Sequence, residues 1–420
     1  MSFRTSLSGL DAASSDLSVI GNNIANASTN GFKESRAEFV DVFATTFSGV
    51  SGNTPGSGVR VANIAQQFSQ GNVEFTSSNL DLAVNGEGFF ILDDNGAQAF
   101  TRAGAFSTDR NGYIVDSSGL QLQVFPANTN GTFNTGALSS IQLSTNDSAP
   151  AATANIVPTL NLDATQSVPT TPVFDPLDAS SYNHSTSTTV YDSLGNDFST
   201  TMYYELNNPL TNEWRVHTYV DGTTNKLTHG GGADDFFSMT FDGLGAFDDI
   251  TVNAVSQGNA ITFDPLSLGN GSAPLAIKFD YSSTTQYGGD FAVNALSQDG
   301  FASGRLSGID IDQTGVVFAR FTNGQSDLLG QVALANFPNV QGLRQLGNTT
   351  WGETFGSGDK IVGAAGTAGF GAMQSGALEA SNVDIATQLV NLITSQRNFQ
   401  ANAQAISTQD TIQQAIINIR

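Results

Sequence analysis

The sequence predicts a multidomain, mainly β protein held between an N-terminal and a C-terminal α-helix, and three observations predict it. Apolar residues recur at steps of three and four at the two ends. Between the ends, short apolar runs are punctuated by turn dipeptides. The charge follows the same division: 38 Asp and Glu against 15 Lys and Arg give a net of -23, almost all of it carried between the ends. With 420 residues, 39% apolar and 9% aromatic, the chain can fill two or three cores at ~100 to 200 residues per domain.

At the N-terminus, Phe3, Leu7, Leu10, Ala13, Leu17, Ile20 and Ile24 form one stripe of a helix that Asn30-Gly31 is expected to stop. At the C-terminus the stripe is Ile385, Leu389, Leu392, Gln396, Phe399, Ala403 and Ile406, continued by Ile412, Ile416 and Ile419. Ser381 with Asp384 three residues on reads as a capping-box start. A helix unbroken to Arg420 would be roughly 55 Å long at ~1.5 Å per residue. Away from the stripe its surface is Asn, Gln, Ser, Thr and Ala, which suits a helix surrounded by other protein. An ordinary amphipathic helix docked on its own domain gives the same stripe.

The intervening chain reads as β. Asn85-Gly86, Asn95-Gly96, Asn111-Gly112, Asp221-Gly222, Asn270-Gly271 and Asn323-Gly324 are hairpin signals. Trp214, Val216, Thr218 and Val220 alternate with Arg215, His217 and Tyr219 as on a half-buried strand. The Ser/Thr/Ala/Asn/Pro-rich stretch from Ser144 to Pro176 marks entry to a separate middle domain, with a weaker boundary near Gln286 to Gly300.

Many functions are excluded. The chain has no cysteine, which removes disulfides, thiolate metal sites and thiol catalysis. Its acidic balance disfavours nucleic acid and anionic membrane surfaces. No run approaches the ~18 apolar residues of a membrane span, and the start lacks the apolar core of a cleaved export signal. No Lys follows a Gly, no Gly-x-Ser-x-Gly occurs and no His precedes Glu, so neither a phosphate-binding loop, a nucleophile elbow nor a zincin motif can be written. His184, His217 and His229 are expected on solvated or strand-face positions rather than on a metal. Asp93-Asp94, Asp234-Asp235, Asp248-Asp249 and Asp310-x-Asp312-x-Thr314-Gly315 sit where turns need Asp. Gly366, Gly369 and Gly371 lack the strand and acidic partner of a dinucleotide site. The expectation is therefore no catalytic residue, no metal and no cofactor.

Three separated motifs are more specific. Ile20-Gly21-Asn22-Asn23-Ile24-Ala25-Asn26 with Thr29-Asn30-Gly31-Phe32-Lys33 resembles the N-terminal signature of the bacterial flagellar rod and hook family. Leu80 to Phe90, containing Gly86, Gly88 and Phe89, followed by Phe100-Thr101-Arg102-Ala103-Gly104-Ala105-Phe106, is similar to the segment shared by that family's first β domain. Gly376 to Asp384, with Ser381, Asn382 and Asp384, through Gln396-Arg397-Asn398-Phe399-Gln400, resembles its C-terminal signature. Tyr182 to Ser185 and Val190 to Asn196 look like the middle domain of the hook branch, and an inserted middle domain separates that branch from the shorter rod proteins.

The resemblance implies a structural subunit, not an enzyme. Its terminal helices would form a coiled-coil-like inner domain and its β domains the outer shells of a curved tube that couples the motor's rod to the filament as a universal joint. The implied partners are other copies of the chain in a homopolymer, distal rod, hook cap and hook-filament junction proteins, and the flagellar type III export apparatus, with an extracellular location and no membrane insertion. The implied division is 1–30 and 381–420 as terminal helical assembly domain, 31–70 and 365–380 as connecting segments, 71–149 with 299–364 as a discontinuous first β domain, and 150–298 as an acidic middle β domain with a net of -13. The assembly residues would be Leu7, Leu10, Leu17, Ile20, Ile24, Ile385, Leu389, Leu392, Phe399, Ile406, Ile412 and Ile416, ordering fully when neighbours bury their stripes. A distal rod protein of the same family, a stiff shaft, is the alternative. A secreted acidic β-rich enzyme on glycans is a further one, and it requires carboxylates on a groove.

Overall fold

The computed structural model describes residues 3–42, 56–143, 147–222, 225–230 and 235–418. Ser144, Asp234, Ile419 and Arg420, which the sequence reading used, lie outside the described residues. Two compact units are formed, one of Met1–Thr145, Ser307–Arg320 and Ser326–Arg420, the other of Asn146–Leu306 and Phe321–Gln325.

Unit 1 contains both long helices, α1 (Phe3–Ala25) and α2 (Ile385–Asn418), packed against each other. The two ends thus pack on each other within one chain, as the expected helical inner domain requires. Helix α1 stops at Ala25, before Asn30-Gly31, because a bend begins there: Asn26 donates its side-chain amide to Asn22 Oδ1 at 2.6 Å and Thr29 N–H to Asn26 O at 3.1 Å. Gly31 closes the bend with φ 68°, and a Cβ there would lie 2.4 Å from Ala103 N. The expected capping box at the start of α2 does not form. Asp384 is itself the N-cap, accepting Thr387 N–H at 3.1 Å, while Ser381 stands outside the helix and accepts Val383 N–H at 3.3 Å.

The remainder of unit 1 is built on a twelve-stranded sheet whose central strands are Ser326–Asn336, Gln121–Pro126, Phe89–Asp94 and Ala97–Thr101. Successive residues of a strand point to opposite faces, and the run Phe89-Phe90-Ile91-Leu92 is buried throughout because both faces are covered. Phe90 and Leu92 join Leu82, Val84, Leu122 and Val332 in one core, and Phe89 and Ile91 join Phe100, Phe125, Phe337 and Trp351 in another.

Unit 2 packs a seven-stranded antiparallel sheet and a five-stranded mixed sheet around one core that includes Trp214, Tyr204, Met239, Phe279 and Tyr281. In strand Glu213–Val220, Trp214, Val216, Thr218 and Val220 are buried, but His217 and Tyr219 on the other face are buried too. The reason is the segment after Asp163, which lays Phe174 flat on the His217 ring at 3.7 Å between centroids. No helix among the described residues is long and apolar enough to cross a membrane.

Candidate assembly interface

The ends of the chain meet the β structure at a buried ionic junction. Lys33 follows the α1 bend, Arg102 follows strand Ala97–Thr101, and Glu379 ends strand Ala377–Glu379 shortly before α2. Glu379 Oε1 accepts Lys33 Nζ at 2.6 Å and Gly71 N–H at 2.9 Å, and its Oε2 accepts Arg102 Nη1 at 3.3 Å. Arg102 also donates to Gly86 O at 2.7 Å, and its guanidinium lies 5.3 Å from the centre of the Phe89 ring. Burial pushes the Lys33 ammonium and the Arg102 guanidinium below their ordinary values, and Glu379 opposes this in both. Gly104 belongs to the same crowded region, since a Cβ there would lie 1.7 Å from Leu82 O. Gly88 leads into strand Phe89–Asp94.

Above this junction the two helices touch along a seam that is largely polar. Gln388, Ser395 and Asn402 recur every seven residues on α2. Asn23, buried on α1, donates to Gln388 Oε1 at 3.3 Å and to Ser35 O at 2.8 Å, and accepts Ser35 N–H at 2.9 Å. Gln388 donates to Glu34 Oε1 at 2.9 Å, and Ser395 Oγ to Ala13 O at 3.3 Å. Opposite Asn402 stands Gly9, where a Cβ would lie 2.6 Å from Asn402 Oδ1. Asn382 ties the start of α2 to the connecting segment, accepting Glu34 N–H at 2.7 Å and donating to Gln67 O at 2.8 Å.

The apolar stripe of α2 lies partly beside this seam and partly off it. Leu392, Phe399 and Ile406 are half-buried beside it, whereas Ile385 is 50% exposed, Leu389 46%, Ile412 48% and Ile416 63%. On α1, Ile20 is buried, Leu10, Leu17 and Ile24 are half-buried, and Leu7 is 41% exposed. Asn22 is exposed, Phe32 is half-buried, and Arg397 lies exposed on α2. The motif residues Asn23, Gly31, Arg102, Gly104 and Asn382 are therefore brought to one junction, while of the stripe residues Leu7, Ile385, Leu389, Ile412 and Ile416 are left exposed along the helices.

No group of three His, Asp or Glu that could hold a metal lies together among the described residues. His184 and His217 lie on strands, stacking on Phe291 at 4.5 Å and on Phe174, while His229 is buried between strands with its Nε2 2.7 Å from Phe236 O. Asp312 closes a turn by accepting Thr314 N–H at 2.8 Å and Val316 N–H at 2.9 Å. A helix pair, an ionic junction and β bodies make a structural subunit, and comparison with known proteins agrees.

The flagellar hook protein FlgE of Escherichia coli strain K12 is 37% identical to this chain over 100% of both chains, and that of Salmonella typhimurium strain LT2 is 38% identical over 100% of both. The chain belongs to the flagellar hook protein family. Four segments match family domains: residues 3–33 the flagella basal body rod protein, 83–157 the flagellar hook protein FlgE/F/G D1 domain, 161–301 the flagellar basal body protein FlaE D2 domain, and 374–419 the flagellar basal body rod FlgEFG protein C-terminal domain. The fold resembles that of the Helicobacter pylori flagellar hook protein FlgE2, with a TM-score of 0.52 over 73% of this chain and 100% of that one at 16% identity. This hook-family chain is thus a structural subunit of the flagellar hook, not an enzyme.

Sequence reasoning named Arg102 but missed its partner Glu379, and the pairing of Glu379 with Lys33, because ion pairs spanning 277 and 346 residues leave no local pattern. It also missed the seam. The signal was present as the seven-residue recurrence Gln388, Ser395, Asn402, running beside an apolar stripe that attracts the eye.

Proposed function

We propose that the hook subunit self-assembles through its helix pair into a curved tube that acts as a universal joint, transmitting torque from rod to filament. Supporting this reading above all are apolar side chains that α2 leaves uncovered: Ile385 and Leu389 near its start, and Ile412 and Ile416 about half a turn round the helix near its end, are between 46% and 63% exposed on a 34-residue helix whose intrachain seam uses Gln388 and Ser395 instead. Such side chains gain about 1.5 to 3 kcal/mol each when a neighbour covers them. The terminal segments 1–30 and 381–420 carry a net of only -1, so they come together without the repulsion that residues 150–298 impose. The motif residues Asn22, Asn23, Asn26, Gly31, Phe32, Arg102, Asn382 and Asp384 fix how the helices leave the β body.

The partners on this reading are further copies of the chain, the distal rod and junction proteins at the tube's ends, the cap, and the flagellar export machinery that delivers the chain outside the cell. Electron microscopy of concentrated purified chain tests it. Curved tubes are expected. Straight shafts would indicate a rod role, and the absence of any polymer at high concentration and moderate salt would overturn self-assembly.

A further inference from the structure

We propose that an open polar cleft of unit 1, about 750 Å³, is a docking site for a second copy of this chain. One wall is the last turn of α1 and the bend after it, with Asn22, Asn26 and Asn30; the other is the hairpin turn between strands Arg344–Gly347 and Thr350–Gly352, with Asn348 and Thr349. The inference rests on the self-assembly reading above and adds where, apart from the helix faces, copies touch.

The lining chemistry decides the occupant. Side-chain amides both donate and accept, so they pair with peptide groups in either sense. Phe32 and Trp351 add aromatic surface, and the Trp351 indole N–H is already donated to Gln66 Oε1 at 2.6 Å. Among the described residues no Asp or Glu lines the cleft, so a metal ion finds no carboxylate among them. The cation described there, Lys33, is spent on Glu379, so an anion finds no free charge among them. What remains is a neutral polypeptide surface. In a chain of net -23, a recess free of acidic groups is where two copies approach without repulsion.

The hairpin turn gives the cleft a fixed rim, its two central residues being left-handed as a two-residue hairpin requires. Asn348 and Thr349 both adopt left-handed conformations, with φ 49° and 54°. A β-branched residue there is strained by about 1 to 3 kcal/mol, where glycine would be free of it. The strain is held by Thr101 Oγ1 donating to Thr349 O at 2.9 Å and by Asn348 Nδ2 donating to Ser118 Oγ at 3.1 Å.

The absence of native cysteine allows a clean test. Asn348→Cys carrying a benzophenone maleimide is assembled from an equal mixture of light and ¹⁵N-labelled full-length chain, irradiated, and analysed by mass spectrometry. Light-to-heavy cross-links, or loss of tubes with an unchanged melting temperature while the same label on Asn130→Cys still permits them, are the expected results. Tubes at normal yield with cross-links only within one copy, or none, would overturn the cleft alone. Failure of the unlabelled wild-type chain to form tubes would overturn the self-assembly reading and this inference with it.

Discussion

In unit 2, Trp214, Tyr204, Phe279 and Tyr281 are each 0% exposed inside one core, whereas on α2 the fully buried residues are Gln388 and Ser395, and Ile385, Leu389, Ile393, Ile412 and Ile416 are exposed. The two regions differ in what stabilises them. The β cores remove large apolar side chains from water within a single chain, worth about 1.5 to 3 kcal/mol each. The helix pair removes few, and long helices gain little from propensity alone in water. Folding of the β bodies is thus a property of one chain, and on the assembly reading proposed above the covering of the helix pair is a property of several.

The largest expected effect falls on the junction between these regions. Glu379→Ala leaves Lys33 and Arg102 buried without their counter-ion, a change expected to cost about 3 to 5 kcal/mol of unit 1 stability. Urea unfolding of the purified chain measures it. A loss below about 1 kcal/mol would mean that water relieves the two cations and that the junction does not hold the helices to the sheet.

Next comes the outward face. Leu389→Asp is expected to leave the monomer's unfolding unchanged, because the side chain is already solvated, and to abolish tubes by burying an unpaired charge in the polymer. Leu392 gives a less clean test because it is half-buried beside α1, so part of the cost of an Asp there falls on the monomer. If Leu389→Asp assembles normally, the face is not the polymer contact.

How much of this was legible in the sequence depends on the range of the interaction. The hairpin turns and the two helices were readable because their signals are local: Asn95-Gly96 adopts left-handed φ values of 53° and 96°, as a tight hairpin requires. The apolar stripe was readable too, though its direction was not. Periodicity says which residues share a face and is silent on what that face meets; the polar seam took the place expected for the stripe. Burial of His217 and the pairing of Lys33 with Glu379 both depend on segments distant in the chain, and no spacing rule reports those.

An acid titration separates the regions at smaller amplitude. In unit 2, burial pushes the Asp192 carboxyl up, but bonds from Asn196, Asn270 and Leu194 outweigh it and hold the group down at about 2. Hydrogen bonds, mainly from Thr165 and Ser180, likewise hold Asp163 and Asp178 below the ordinary carboxylate range. The folded values lie below an unfolded value of about 3.9, so the stabilisation is complete above that pH and is lost as pH falls towards about 2. The unit 2 melting temperature is expected to fall across that window. Asn270→Ala, which removes a donor 2.7 Å from Asp192, should move the fall to higher pH. An unmoved acid limb would show that Asn270 does not tune the carboxylate.

The smallest effect on stability, and the one that most sharpens the contrast, is expected from making the seam resemble a core. Gln388→Leu removes two hydrogen bonds, to Asn23 and Glu34, but Asn23 keeps both of its bonds to Ser35, and Glu34 is only half-buried. The loss of about 0.5 to 1.5 kcal/mol per bond is therefore largely offset by the apolar gain, leaving a net change within about 1 kcal/mol. What a polar residue at such a position supplies is register, at some expense of stability. With Leu at 388 and 395, the seam no longer distinguishes the native alignment from one shifted by seven residues, and the outward face shifts with it. Hydrogen exchange of α2 should slow slightly or stay unchanged in the Gln388→Leu, Ser395→Leu chain, while its tubes become irregular in diameter and curvature. Uniform native tubes from that variant would assign the register to the Lys33–Glu379–Arg102 junction, leaving the seam as no more than a weak contact.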